Sequence, residues 1–178
     1  ITRPEQLLQA LPKAMSVLTD PADCGPVTLG LCQDVQAEAW DYPESFFTPR
    51  VWHMRRVMPD GGELDRAMAA LKAAKRPMII AGGGVRYAGA CAAVTALAEQ
   101  AGIPVAATQA GKSSLVESHP MYVGSLGVTG ASAANNLAAK ADVVLSVGSR
   151  LQDFTSGSNS LIGGQVVALN VQAHDLVK

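Results

Sequence analysis

At 178 residues, with 48% hydrophobic side chains and only 4% aromatic ones, the chain can bury one full core and part of a second, and its many small residues favour helix-on-sheet packing over an all-β core. Its 14 Lys and Arg against 15 Asp and Glu leave a net charge of -1 with no long run of either sign, which argues against a nucleic-acid or anionic-membrane surface. Apolar stretches break off short of the ~20 residues a membrane helix needs, and no basic-then-apolar leader opens the chain, so a cytoplasmic setting is expected.

Thr2-Arg3-Pro4-Glu5 has the pattern of a capping box, with the Thr hydroxyl on an orphan amide and Glu reaching back. The helix that follows is expected to break at Leu11, because Pro12 removes a donor, and to restart from Pro12 to about Thr19 with Met15 and Leu18 buried. "DPADCGP" is a loop by composition, and "VTLGL" after it is short, apolar and β-prone, a predicted buried strand. From Trp40 to Pro59 three prolines and most of the aromatics interrupt any period, so this stretch is read as a linker.

Asp60 with Glu63 three residues on predicts a new helix, with Leu64, Ala67, Met68 and Leu71 on one face. "PMIIAGGGV" is a strand running into a glycine turn, and residues 87–101 form a helix stopped by Gly102. "IPVAATQ", "DVVLSVGS" and "QVVALNV" are three further apolar strands, with the helix "ASAANNLAAKA" before the second of them. Continuously apolar strands alternating with helices indicate a parallel sheet covered on both faces, a doubly wound, Rossmann-like α/β fold. Cys24, Cys32 and Cys91 lack a C-x-x-C pairing and are read as reduced thiols in apolar surroundings.

Gly111-Lys112-Ser113 has the closing letters of a phosphate-binding P-loop, but Ala106 stands where the first glycine belongs and lies inside a predicted strand, so the loop is too short. Gly82-Gly83-Gly84 occupies the right place for a dinucleotide turn. Tyr87 fills the third slot of the fingerprint, however, and no acid closes the next strand. Two readings stay open there: amides aimed at a diphosphate, or glycines that let the backbone turn sharply. Gly124, Gly127, Gly130 and Gly148 fall after or between core elements, where open α/β sheets place ligands; Arg150 next to them is either a phosphate partner or a surface residue. His53, His119 and His174 have no metal-ligand spacing, and no catalytic constellation is recognisable.

The ordered blocks "GPVTLGLCQDVQ", "AKRPMIIAGGGV", "AGIPVAATQAGKSSL", "HPMYVGSLGVTG" and "ADVVLSVGSRLQDF" resemble the thiamine-diphosphate-dependent enzymes related to acetolactate synthase. The resemblance implies that residues 1–38 are the end of a pyrimidine-binding domain, 39–59 a linker and 60–178 a central Rossmann-like domain. "AMSVLTDPADCGPVTL", "QDVQAEAWDYP", "TQAGKSSL" and "RLQDFTSGS" look most like the hydrolytic branch of myo-inositol catabolism, which opens a cyclic trihydroxycyclohexanedione by carbon-carbon cleavage to 5-deoxyglucuronate.

That likeness implies thiamine diphosphate and Mg2+ held outside this chain, since the cofactor-activating glutamate belongs before Ile1 and the magnesium-diphosphate block after Lys178. Cys32 departs from the Pro of many relatives. The piece alone is expected to be inactive, and a homo-oligomeric parent with a small cyclic dione as substrate is implied. Acetolactate synthase relatives bind FAD through loops corresponding to Gly82, Gly83 and Gly84; Thr108, Gln109, Gly111 and Lys112; Gly127, Val128 and Thr129; and Gly148, Ser149 and Arg150. In the hydrolase flavin is not expected, and Gln109 and Lys112 are candidates for shaping a substrate cavity. Two other readings remain: a flavin-binding, acetolactate-synthase-like carboligase, and a stand-alone nucleotide-binding module. The chain opens on Ile1 rather than Met, and a piece of something longer is expected.

Overall fold

The computed structural model describes residues 1–176 and divides into two compact units, Ile1–Met58 and a second that begins at Pro59. In the first, Gln6 Oε1 accepts from the amides of Thr2 and Arg3 at 2.8 and 3.4 Å, so the reach-back comes from Gln6 and not from Glu5. A 3-10 turn, Pro4–Gln6, leads into helix α1, Leu7–Leu18, which runs through Pro12 without the expected break. A proline there withdraws one intrahelical bond, and the bonds on either side hold the helix together. Ala14 is the buried residue of α1, whereas Leu18 is exposed.

The segment "VTLGL" forms no strand, contrary to expectation. A strand needs a ladder partner for its amides and carbonyls; here the backbone is engaged instead at Ile1, whose ammonium donates to the Gly30 carbonyl at 2.7 Å and whose carbonyl accepts from the Cys32 amide at 3.2 Å. Residues 40–47 gather their aromatics into a cluster in which Tyr42 meets the rings of Trp40 and Phe46 at 4.6 and 5.3 Å. The Tyr42 hydroxyl donates to the carbonyl of buried Pro4 at 2.9 Å. Cys24 and Cys32 are exposed, so the apolar surroundings expected of the cysteines hold only for Cys91, which packs against the core of the second unit.

That second unit opens as predicted, with the Asp60 carboxylate accepting from the Glu63 amide to cap helix α2, Gly61–Ala73. Leu71 packs against the core, but Leu64 and Met68 of the predicted apolar face are exposed. Next come β1, Pro77–Ala81; α3, Gly83–Tyr87; α4, Cys91–Ala101; β2, Val105–Ala107; and β3, Tyr122–Ser125. Then follow α5, Ser132–Lys140; β4, Val143–Val147; α6, Asp153–Ser156; β5, Gln165–Leu169; and a 3-10 turn, Ala173–Leu176. The predicted helix over 87–101 is shortened to α4, and the preceding glycine turn carries a separate short helix, α3, divided from α4 by Gly89 at φ +65°. Gly102 ends α4 in the left-handed conformation, the stop its sequence position predicts.

All pairings are parallel, in the order β3-β2-β1-β4-β5. Strand alternation divides the core in two. Ile79, Ala81, Val105 and Leu145 face Val94 and Ala98 of α4, while Met78, Ile80, Ala106 and Val144 face Ala134 and Ala138 of α5. The alanines are fully buried and let helix and sheet approach closely. At the amino edge the Asp142 carboxylate accepts from the amides of Lys75 and Arg76 at 2.7 and 2.9 Å, joining the exit of α2 to the start of β4. These amide bonds hold its pKa below the ordinary aspartate value against the opposing effect of desolvation.

Candidate functional site

Because every strand of the sheet points the same way, the segments after β1, β2, β3 and β4 leave from one edge, and each of the sequence-predicted residues lies on one of them, Gly83 and Gly84 in the first turn of α3. Strand order reverses between β1 and β4, the place where open α/β sheets usually receive a ligand. Here that place is filled by backbone. The Gly82 amide donates to the Val147 carbonyl at 2.8 Å and the Gly84 amide to the Gly148 carbonyl at 3.0 Å. A Cβ on Gly84 would lie 2.7 Å from the Gly148 Cα, and one on Gly148 2.6 Å from the Gly84 Cα. Gly148 also holds φ +59°. These glycines are required by close backbone packing, and two of the amides that a diphosphate would need are already bonded.

The P-loop letters resolve in the same way. Thr108 extends the β1 ladder through its amide to Ala81, its Oγ1 accepts from the Gly111 amide at 3.1 Å, and a Cβ on Gly111 would collide with the Ala81 carbonyl. Lys112 and Ser113 follow in a tight turn, with Ser113 at φ +67°. On the β4 loop, the Ser149 hydroxyl accepts from the Leu151 amide at 3.2 Å, and Arg150 Nε stands 3.8 Å from the buried Asp175 carboxylate. The side chain of Arg150 is mostly exposed.

The gap beside β2 is open. Between the ends of β2 and β3 and the start of α5 lies a cleft of about 450 Å³, and Thr108, Gln109, Lys112 and Thr129 of the predicted residues line it. Gly82 to Gly84 and Gly148 to Arg150 do not. The opening has a cause in the ladder. Val105 pairs with Tyr122 and Ala107 with Ser125, so β3 spends one residue more than β2, and Gly124, at φ +102°, takes up the extra residue as a bulge.

Sequence reasoning missed β3 itself, along with Glu117, Tyr122 and Ser125 of the lining. "YVGS" carries neither an apolar run nor a clean alternation, so no periodic signal marks it. Tyr122 has its pKa raised above the ordinary tyrosine value, first by burial and then by the Glu117 charge. Glu117 Oε1 lies 3.9 Å from Lys112 Nζ, and both side chains are exposed.

Asn135 was also missed. Its side chain accepts from the Gly127 amide at 3.2 Å and donates to the Gly127 carbonyl at 2.9 Å, fixing the loop that carries Thr129. Its signal was an asparagine pair inside a helix, where asparagine is a poor helix former and a competent partner for loop backbone. Val128 continues that loop, its amide donating to the Phe154 carbonyl at 2.9 Å.

Outside the cleft, Tyr87 of α3, Val116 and Val128 of the loops after β2 and β3, and Phe154 of α6 are 62–87% exposed. Among the described residues no group of three His, Cys, Asp or Glu is placed to hold a metal, and no helix is long and apolar enough to cross a membrane.

Comparison with known proteins adds a lineage. A family model for the thiamine pyrophosphate enzyme central domain matches residues 64–178. A protein of Geobacillus thermodenitrificans named 3D-(3,5/4)-trihydroxycyclohexane-1,2-dione hydrolase is 46% identical over 172 residues, which is 96% of this chain and 27% of that protein. A protein of the same name from Bacillus thuringiensis is 48% identical over 167 residues, 94% of this chain and 26% of its own. The chain thus spans about a quarter of the length of these curated relatives.

Proposed function

The chain belongs to the family of thiamine pyrophosphate enzyme central domains, and from that premise we propose that it is the middle portion of a thiamine-diphosphate-dependent hydrolase that cleaves a carbon-carbon bond of a cyclic trihydroxycyclohexanedione in myo-inositol catabolism. The observation that carries this reading is the 46–48% identity to dione hydrolases across nearly the whole chain, both compact units included.

This chain's own residues do not fit the cofactor. Gly82 and Gly84 have their amides bonded within the fold, and no acidic or histidine cluster among the described residues supplies a magnesium site. We therefore assign thiamine diphosphate and Mg2+ to other parts of the longer protein, and to this portion the work of scaffolding. Flavin is not part of this reading. The exposed apolar side chains of Tyr87, Val116, Val128 and Phe154 support a carboxyl edge that is covered by the remaining domains. Residues 1–38 belong in this reading to a pyrimidine-binding domain, 39–59 to a linker and 60–178 to the central domain, in a cytoplasmic homo-oligomer.

The test is an assay of the full-length parent for ring opening of the dione with and without thiamine diphosphate and Mg2+. Cofactor-dependent turnover is the expected result, with none from residues 1–178 alone. Carboligation of pyruvate together with flavin absorbance in the purified parent would replace this reading with the acetolactate-synthase-like one.

A further inference from the structure

We propose that His119 is a pH-sensitive clasp at the start of β3, closed by the neutral imidazole and opened by its protonation. The clasp belongs to the fold of this chain and stands apart from the ring-opening reaction. The ring is largely shielded, with 15% of its side chain exposed, and both of its nitrogens are bonded. Nε2 stands 2.9 Å from Glu99 Oε1 of α4, and Nδ1 stands 3.2 Å from the Met121 amide nitrogen. A backbone amide can only donate, so Nδ1 must offer its lone pair. That places the single proton of the neutral ring on Nε2, where the Glu99 carboxylate accepts it.

The peptide held in this way is the first rung of the ladder. The Met121 carbonyl accepts from the Val105 amide at 2.8 Å, and Val105 pairs with Tyr122. Pro120 has no amide, so Met121 supplies the first backbone donor after the ring. A relay of hydrogen bonds thus runs from α4 through the imidazole and the Met121 peptide to β2. This end of the sheet needs the tie, because β3 is a four-residue edge strand, bulged at Gly124 and only partly buried.

A second proton on the ring has one place to go. On Nδ1 it turns the acceptor into a donor facing the Met121 N–H, and that bond is lost. The Nε2 contact becomes an ion pair between imidazolium and Glu99 at the same moment. The ring therefore exchanges its tie to β3 for a stronger one to α4, and it is bonded in both states. Titratable groups on the surrounding described elements are Cys91 and Glu99 of α4, Lys112 and Glu117 of the loop before His119, and Tyr122 of β3. Lys112 and Glu117 pair with each other at 3.9 Å, which leaves Glu99 as the charge in contact with the ring. Tyr122, Gly124 and Ser125 line the cleft beside β2, so acid loosens one of its walls.

The experiment is hydrogen exchange of the full-length parent, read by mass spectrometry on peptides spanning residues 116–126 at about pH 8 and about pH 5, with exchange times scaled to the intrinsic rate at each pH. Measured against peptides of α5, wild-type protection should fall about tenfold on acidification, the worth of one backbone hydrogen bond. His119→Asn sets an oxygen near the position of Nδ1 and cannot be protonated, so its protection should be the same at both values. His119→Gln reaches toward Glu99 and not toward Met121, and should show the acid level of protection throughout. Glu99→Gln, on an exposed side chain, keeps an acceptor for the Nε2 proton but removes the charge that favours imidazolium, so its β3 should open only in stronger acid than wild type.

Unchanged protection in wild type, an equal fall in wild type and His119→Asn, full protection in His119→Gln, or a wild-type onset in Glu99→Gln overturns the proposal. The wild-type and Glu99→Gln results decide it even where a change at His119 prevents folding.

Discussion

Two gaps along one sheet edge, built from the same kind of glycine-rich loop, have opposite outcomes. Between β1 and β4 the backbones of Gly84 and Gly148 close on each other until no Cβ fits. Between β2 and β3 a single extra residue at Gly124 holds the edge apart and leaves a cleft. A glycine after a strand is therefore not itself a sign of a ligand. What separates the cases is whether its amide and the space over its Cα are used by the protein's own backbone.

The sharpest way to break this contrast is Gly148→Ala. The added methyl meets the backbone of Gly84, and the residue must hold φ +59°, so a loss of about 3–4 kcal/mol is expected in denaturant unfolding. Gly89→Ala is its control. Gly89 has φ +65° with open space around its Cα, so only the conformational cost of about 1–2 kcal/mol applies. Equal losses at the two positions would show that packing does not close the β1–β4 gap.

Asn135→Ala comes next, on the open side. It removes both bonds to Gly127 and should cost about 2 kcal/mol, with amide exchange at residues 127–130 accelerated ahead of the rest. Asp142→Asn tests the opposite edge and should lower the melting midpoint at neutral pH. Because the folded pKa lies below the unfolded value of 3.8, the contribution of the carboxylate is complete above that value and is lost as the pH falls through the folded one. The two proteins should converge in strong acid; a constant gap down the pH scale would assign the effect to something other than ionisation.

Ser146→Ala should act the other way. Its Oγ is buried without a hydrogen-bond partner beside the α5 face, so removing it should raise stability by about 0.5–1 kcal/mol. Lys112→Ala completes the series with a change under about 0.5 kcal/mol, since its pair with Glu117 is exposed.

Four strands could be read from the sequence: β1, β2 and β4, which are buried, and the edge strand β5, which is only partly buried but keeps the apolar run Val166–Leu169. Ile79, Val105 and Val144 sit in uninterrupted apolar runs because water reaches neither side of β1, β2 or β4, and composition records that. The other edge strand, β3, is also only partly buried, and its tyrosine, glycine and serine left no such record. "VTLGL" failed in the opposite sense: its composition suits a strand, but pairing depends on a neighbour that composition cannot report. At the site, the position of each loop was legible from glycine and strand order. Their division into a sealed gap and an open one was not, because it depends on which backbone meets which across more than sixty residues, as Gly84 meets Gly148.

The strand order has a bearing on how this chain is made. Strand β1 lies in the middle of the finished sheet but is the first strand to leave the ribosome, and its five-residue register with β4 cannot form until Val143–Val147 have followed. The Asp142 clamp on Lys75 and Arg76 is delayed equally. For that interval the most apolar ribbon in the chain has an unpaired side, which makes the nascent chain, more than the finished protein, the point at which quality control must act.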